Sequence, residues 1–110
     1  MAETFKRAGG DVAAAGTVSY TAPTSAGAVA IILSISLANK STSLVNATAE
    51  IIESDGTTVG STLIKEADIP VEVGLDIVQN KVVLEAGESI KLTTNSNNNL
   101  SATIAVLEIT

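Results

Sequence analysis

The chain has no cysteine, no histidine and no tryptophan, and its aromatic residues are limited to Phe5 and Tyr20. Each absence removes a class of function. Without cysteine there is no disulfide staple and no thiol redox chemistry. Without histidine as well, the commonest general base, the strongest nucleophile and the usual zinc ligands are all missing. With only two aromatics, a core must be filled by aliphatic side chains, and a sugar-stacking cleft has little to be built from. Basic residues are also few. Lys6, Arg7, Lys40, Lys65, Lys81 and Lys91 are scattered among twelve acidic residues, for a net charge of −6. Such a surface neither neutralises phosphates nor adheres to anionic lipid, so nucleic acid and membrane are not expected partners.

Long apolar runs are missing too. The longest, residues 28–37, is interrupted by Ser34 and Ser36 and is too short to span a bilayer. Residues 1–16 carry Lys6 and Arg7 with no apolar segment of the secretory kind behind them. The expectation is a chain made in the cytoplasm and not exported by an ordinary N-terminal signal.

What is present is a 110-residue chain, 45 % hydrophobic, rich in Val, Ile, Leu, Thr and Ser. The length fits one domain, and the residue types favour strands. A domain of this size buries roughly two thirds of its unfolded surface. With Ala and Val doing much of the filling, added stability from neighbouring subunits is expected. The clearest local signal is period-two alternation over residues 28–38. Val29, Ile31, Leu33, Ile35 and Leu37 share one expected buried face, and Ala28, Ala30, Ser34, Ser36 and Ala38 share the other with Ile32.

Further strands are expected at 17–21, 44–53, 57–65, 77–84, 90–94 and 100–109, separated by turn residues. Asp55-Gly56 is the strongest hairpin signal, and the return strand is expected to be distorted near Gly60. Asn80-Lys81 reads as a turn or bulge, and Glu66-Ala67-Asp68 as at most one helical turn, because Pro70 stops it. The pattern predicts an all-β fold: a single-domain antiparallel β-sandwich, jelly-roll or immunoglobulin-like, of about seven to eight strands. Residues 17–110 form the sandwich in this reading. Residues 1–16 form an extended arm or an edge strand followed by a flexible loop.

Chemistry is hard to place. The segment Ala8-Gly9-Gly10-Asp11 lacks the spacing and the Lys-Ser/Thr ending of a phosphate loop. Asp68, Glu72 and Asp76 would align only on a helix that Pro70 and Gly74 oppose. Glu66, Asp68 and Glu72 offer oxygen ligands of the kind Ca²⁺ takes, but solvated surface charge is the favoured reading. Glu85 and Glu88 flank Gly87 and read as turn residues rather than a catalytic pair. Tyr20 reads as a core-edge side chain whose hydroxyl finds a backbone partner, with sugar stacking as the alternative. Three glycosylation-type triplets begin at Asn39, Asn46 and Asn99, as chance produces in a chain of this composition. The polar loop 95–99 reads as an exposed hairpin tip. No catalytic, cofactor-binding or metal residue is assigned, and no enzyme activity is expected.

Four segments together carry a resemblance. Val18-Ser19-Tyr20-Thr21-Ala22-Pro23 precedes an apolar strand ending Ser36-Leu37-Ala38-Asn39. The segment Val83-Leu84-Glu85-Ala86-Gly87-Glu88-Ser89-Ile90-Lys91-Leu92 follows, and the chain closes on Val106-Leu107-Glu108-Ile109. In order and spacing this resembles the small virion structural proteins of tailed bacteriophages, notably those of marine and cyanobacterial phages. The likeness spans Thr17 to Ile109, with Glu88 standing where Asp is usual. It implies a sandwich-like fold and a non-enzymatic place in a virion, as a capsid decoration or cement protein or a head, neck or tail accessory subunit. Its implied partners are other virion proteins and further copies of itself. The competing reading is a carbohydrate-binding or adhesin-type sandwich, which the scarcity of aromatics disfavours.

Overall fold

The longest alternating stretch becomes the centre of a sheet. In the computed structural model, which describes residues 3–71, 74–77, 81–95 and 99–110, Val29–Asn39 pairs along its length with Leu100–Ile109. Numbered in chain order, the strands among the described residues are β1 (Glu3–Val12), β2 (Thr17–Thr21), β3 (Val29–Asn39), β4 (Val45–Ile52), β5 (Val59–Ile69), β6 (Gly74–Asp76), β7 (Val82–Glu85), β8 (Ser89–Thr94) and β9 (Leu100–Ile109).

The alternation of β3 does not hold one face inward throughout. Ala30 and Ile32 are buried in its first half, and Ile35, Leu37 and Asn39 in its second. Between them the register against β9 slips. Ile32 pairs with Val106 and Ser34 with Ala105, leaving Leu33 as an extra residue. A bulge of this kind shifts a two-residue period by one. The expected single face is therefore corrected: Ile35 and Leu37 point into the core, whereas Val29 and Ile31 lie half-buried on the opposite side. The slip lets Ile32, Ile35 and Leu37 all be fully enclosed.

One sheet runs β1-β9-β3, with β6 and β7 both pairing to the remaining edge of β3. The other runs β2-β8-β4-β5, and every pairing is antiparallel. Since β6 and β7 occupy successive stretches of one edge, each sheet has four strand positions, and the two stack as a β-sandwich. This is the expected fold class. The core between them is aliphatic. Ile32, Ile35, Leu37, Leu84, Leu100 and Ile104 come from one sheet, and Val45, Ile69, Ile90 and Leu92 from the other, with Ala30, Ala47, Ala49 and Ala102 between them.

The Asp55-Gly56 turn closes the β4–β5 hairpin. Gly56 takes φ 83, and the Glu53 N–H donates to the Thr58 carbonyl at 2.8 Å. Asp55 accepts the N–H groups of Thr57 and Thr58 and the Thr58 hydroxyl. The slip between the Ile51–Ser61 and Ile52–Val59 pairs brackets Gly60, as expected. The return strand is longer than 57–65, however, and runs to Ile69. Glu66-Ala67-Asp68 is strand rather than a helical turn, because a bulge at Glu66 (φ 50) turns the chain while its N–H donates to the Thr48 hydroxyl. Of the strand expected at 77–84, Val82, Val83 and Leu84 fall in β7, Ile77 and Lys81 belong to no strand, and residues 78–80, with Asn80 among them, lie outside the described residues.

The first strand, β1, pairs with β9 over ten residues, yet only Val12 on it is buried. Gly9 has φ +124, and a Cβ there would come within 2.1 Å of the Ala102 carbonyl oxygen. No L-residue with a side chain fits that approach.

Candidate functional site

Two buried polar side chains, Tyr20 and Glu108, meet between the sheets. Along β9 the inward positions are Leu100, Ala102, Ile104, Val106 and then Glu108, so a carboxylate takes the last place in an apolar series. Tyr20 projects from β2 in the opposite sheet, and its hydroxyl donates to Glu108 Oε2 at 2.5 Å. Lys6 of β1 supplies its ammonium to Glu108 Oε1 at 2.9 Å. Tyr20 and Glu108 are 8 % and 7 % exposed. Three strands from both sheets thus meet on one carboxylate.

The electrostatics fix this cluster as a clasp. Burial first, and donation to the carboxylate second, push the Tyr20 hydroxyl well above its ordinary range. The Tyr20 hydrogen bond first, and Lys6 second, hold Glu108 below the ordinary carboxylate range. A phenol so raised is a poor nucleophile, and a carboxylate so lowered is a poor proton acceptor. The expected backbone partner of Tyr20 is therefore corrected to a side-chain carboxylate. The sequence signal for Glu108 was its parity: it is the charged member of an otherwise apolar inward series.

Asn39 is the second buried polar anchor, at 3 % exposure. Its Nδ2 donates to the carbonyls of Ser43 (2.9 Å) and Ile69 (3.0 Å), and its Oδ1 accepts from the Ser41 N–H and hydroxyl. The end of β3, the following turn and the end of β5 are tied together through one amide.

Glu85 and Glu88 line a cleft of about 260 Å³ together with Glu53 and Asp55. Glu88 Oε1 accepts the Glu85 N–H at 2.7 Å, and the Glu88 carbonyl accepts the Ala22 N–H at 2.8 Å. The Gly87 N–H donates to the Pro23 carbonyl. This turn therefore grips the segment after β2. Asp55 is held at about 2 by its Thr58 and Thr57 hydrogen bonds, the Thr58 hydroxyl contributing most.

Glu66 and Asp68 stand exposed on β5, Asp76 lies on β6 opposite Ser36, and Glu72 is outside the described residues. Among the described residues no group of three or more Asp or Glu is arranged to hold a metal ion. No helix among them is long and apolar enough to cross a membrane.

No protein-family model matches the chain, and no curated protein matches it. Two solved structures overlap it in part, both of a pentameric capsid protein isolated from metagenomic phage sequences. They are 16 % identical to it, with TM-scores of 0.41 and 0.40. Each alignment covers 91 % of this chain and only 59 % or 60 % of the capsid chain, so this chain spans about three fifths of that protein's length. An overlap of that size transfers no residue role and no activity.

Proposed function

We propose that this chain is a non-enzymatic structural subunit of a tailed-phage virion, a capsid decoration or cement protein or a head, neck or tail accessory subunit. The observation that carries the reading is the use to which the polar residues of the four resembling segments are put. Tyr20 and Glu108, 88 residues apart, bind each other across the sandwich. Asn39 ties three chain segments, and the Glu85–Glu88 turn holds the stretch containing Ala22 and Pro23. These groups act as cross-links between strands and are occupied with one another. A subunit built into symmetric assemblies needs a fixed shape and side chains that need no cofactor, which is what such cross-links provide.

Mass spectrometry of purified phage particles, with immuno-electron microscopy to place the protein, tests the reading. The expected result is a particle component present in many copies. A chain found in lysate but never in purified particles would refute it. Specific glycan-array binding by a chain absent from particles would favour the carbohydrate-binding alternative.

A further inference from the structure

Phe5 is one of two aromatic residues in the chain and is 75 % exposed. It heads a row that crosses the whole first sheet. The register sets Phe5 beside Leu107, Leu107 beside Ile31, and Ile31 beside Val83. Directly opposed residues of antiparallel strands share a face. Val106 and Ile32, one step along, are buried in the core, so the Phe5 row points outward. Four strands make the row about 14 Å wide. Val83 is 56 % exposed, and Val29 and Ile109 widen the patch on one side.

The charges around this patch are ordered. The row containing Ile109 and Val29 ends in Glu3 on β1 and Glu85 on β7. On the other side, Arg7 lies opposite Ala105, and Lys81 stands two residues before Val83. One flank is acidic at both ends, and the other is basic at both ends. A two-fold axis lying along the apolar row would leave the row facing itself and reverse the strand direction. Glu3 would then meet Arg7 of the partner subunit, and Glu85 would meet Lys81 of the partner subunit.

We propose that this outward face is an isologous contact between two copies of the chain, packed sheet to sheet across the Phe5–Leu107–Ile31–Val83 row. The occupant follows from the charge pattern. A patch with equal numbers of both signs, arranged in antisymmetry about an apolar line, is complementary to itself. A foreign partner would have to reproduce that arrangement. The face is smaller than the ~800 Å² per partner of a standard interface, so the isolated dimer is a weak one. The contact rests on the register and charge of this face and is independent of the virion reading. A chain that dimerises in solution but is absent from particles would separate the two.

Sedimentation equilibrium on the purified chain, up to concentrations on the order of 1 mM, tests it. The parent is expected to show a monomer–dimer equilibrium. Phe5→Glu is expected to weaken association by about 30-fold or more, the loss of one central anchor. Glu3→Arg alone sets like charges against each other and weakens the dimer, whereas Glu3→Arg with Arg7→Glu restores it. All three positions are exposed, and far-UV circular dichroism confirms that the variants fold. A parent that stays monomeric throughout, or that binds only some other protein through this face, overturns the proposal. So does self-association indifferent to Phe5→Glu, or a charge swap that fails to restore what the single change removed.

Discussion

Replacing Tyr20 by Phe removes one oxygen and leaves the ring, so it isolates the inter-sheet hydrogen bond. The hydroxyl donates to an ionised carboxylate that is 7 % exposed. Hydrogen bonds to charged groups contribute about 1.5–3 kcal/mol, and the acceptor left behind is a buried charge. Lys6 stays on Glu108, but its side chain is 54 % exposed, and such a half-solvated pair contributes well under ~1 kcal/mol. Tyr20→Phe is therefore expected to cost about 2 kcal/mol, which for a domain near this size lowers Tm by roughly 8–16 °C.

Glu108→Gln keeps an acceptor for the phenol and should cost only about 1 kcal/mol. In the Tyr20→Phe background the same change should be nearly neutral, because it discharges a group that has lost its main partner. The cycle should give a coupling of about 1 kcal/mol. The pH dependence carries a sign. Glu108 is depressed in the folded state, so its stabilisation is full above the unfolded value near ~4 and is lost as pH falls through the folded one. Tyr20 is raised, so its contribution is full below about 10 and is lost as pH rises beyond. Urea unfolding followed by far-UV circular dichroism at several pH values provides the assay. A Tyr20→Phe cost below ~0.5 kcal/mol, with the acid and alkaline limbs unchanged, would refute the reasoning.

Asn39→Asp removes two donors that face the Ser43 and Ile69 carbonyls and puts a charge in their place, so a loss of about 3 kcal/mol is expected in urea melts. Thr94 Oγ1 is the buried side-chain polar atom left without a hydrogen-bond partner among the described residues. Thr94→Val, of the same shape, should raise stability by about 0.5–1 kcal/mol, read as a higher urea midpoint at unchanged slope. Deleting Leu33 removes the extra residue of the β3 bulge and keeps its neighbours on their faces, so a folded protein weakened by about 1–2 kcal/mol is expected. Deleting Ala105 opposite would invert part of β9, and that variant is expected to be unfolded by circular dichroism.

The strand inventory was legible because turn chemistry and alternation are local. Asp55-Gly56 specifies its hairpin through residues next to it, and the series Leu100, Ala102, Ile104, Val106 declares an inward face without knowledge of the partner strand. The bulges at Leu33 and Glu66 are not local in this sense. Each is fixed by which residues the neighbouring strand sets opposite it, and no residue near Leu33 marks an interruption. The Tyr20–Glu108 bond was out of reach for the same reason: pairing residues 88 apart requires the sandwich to be assembled first. The two halves of that bond were visible singly, as a lone tyrosine and as an inward-facing glutamate.

The bulge in β3 also determines what the surface offers. The core combines Ile and Leu side chains with small ones at Ala30, Ala47, Ala49 and Ala102. A chain selected only for its own stability would turn its remaining large apolar groups inward. Here Ile35 and Leu37 are turned in by the slip at Leu33, while Val29 and Ile31 are held out beside Leu107 and Val83. The edge strand β1 adds Phe5 to the same line while placing only Val12 in the core. Phe5, Leu107, Ile31 and Val83 thus line up on one outward face, the face assigned above to a second copy of the chain. Covering that face in the proposed dimer is expected to add to the stability of the sandwich, read as a urea midpoint that rises with chain concentration.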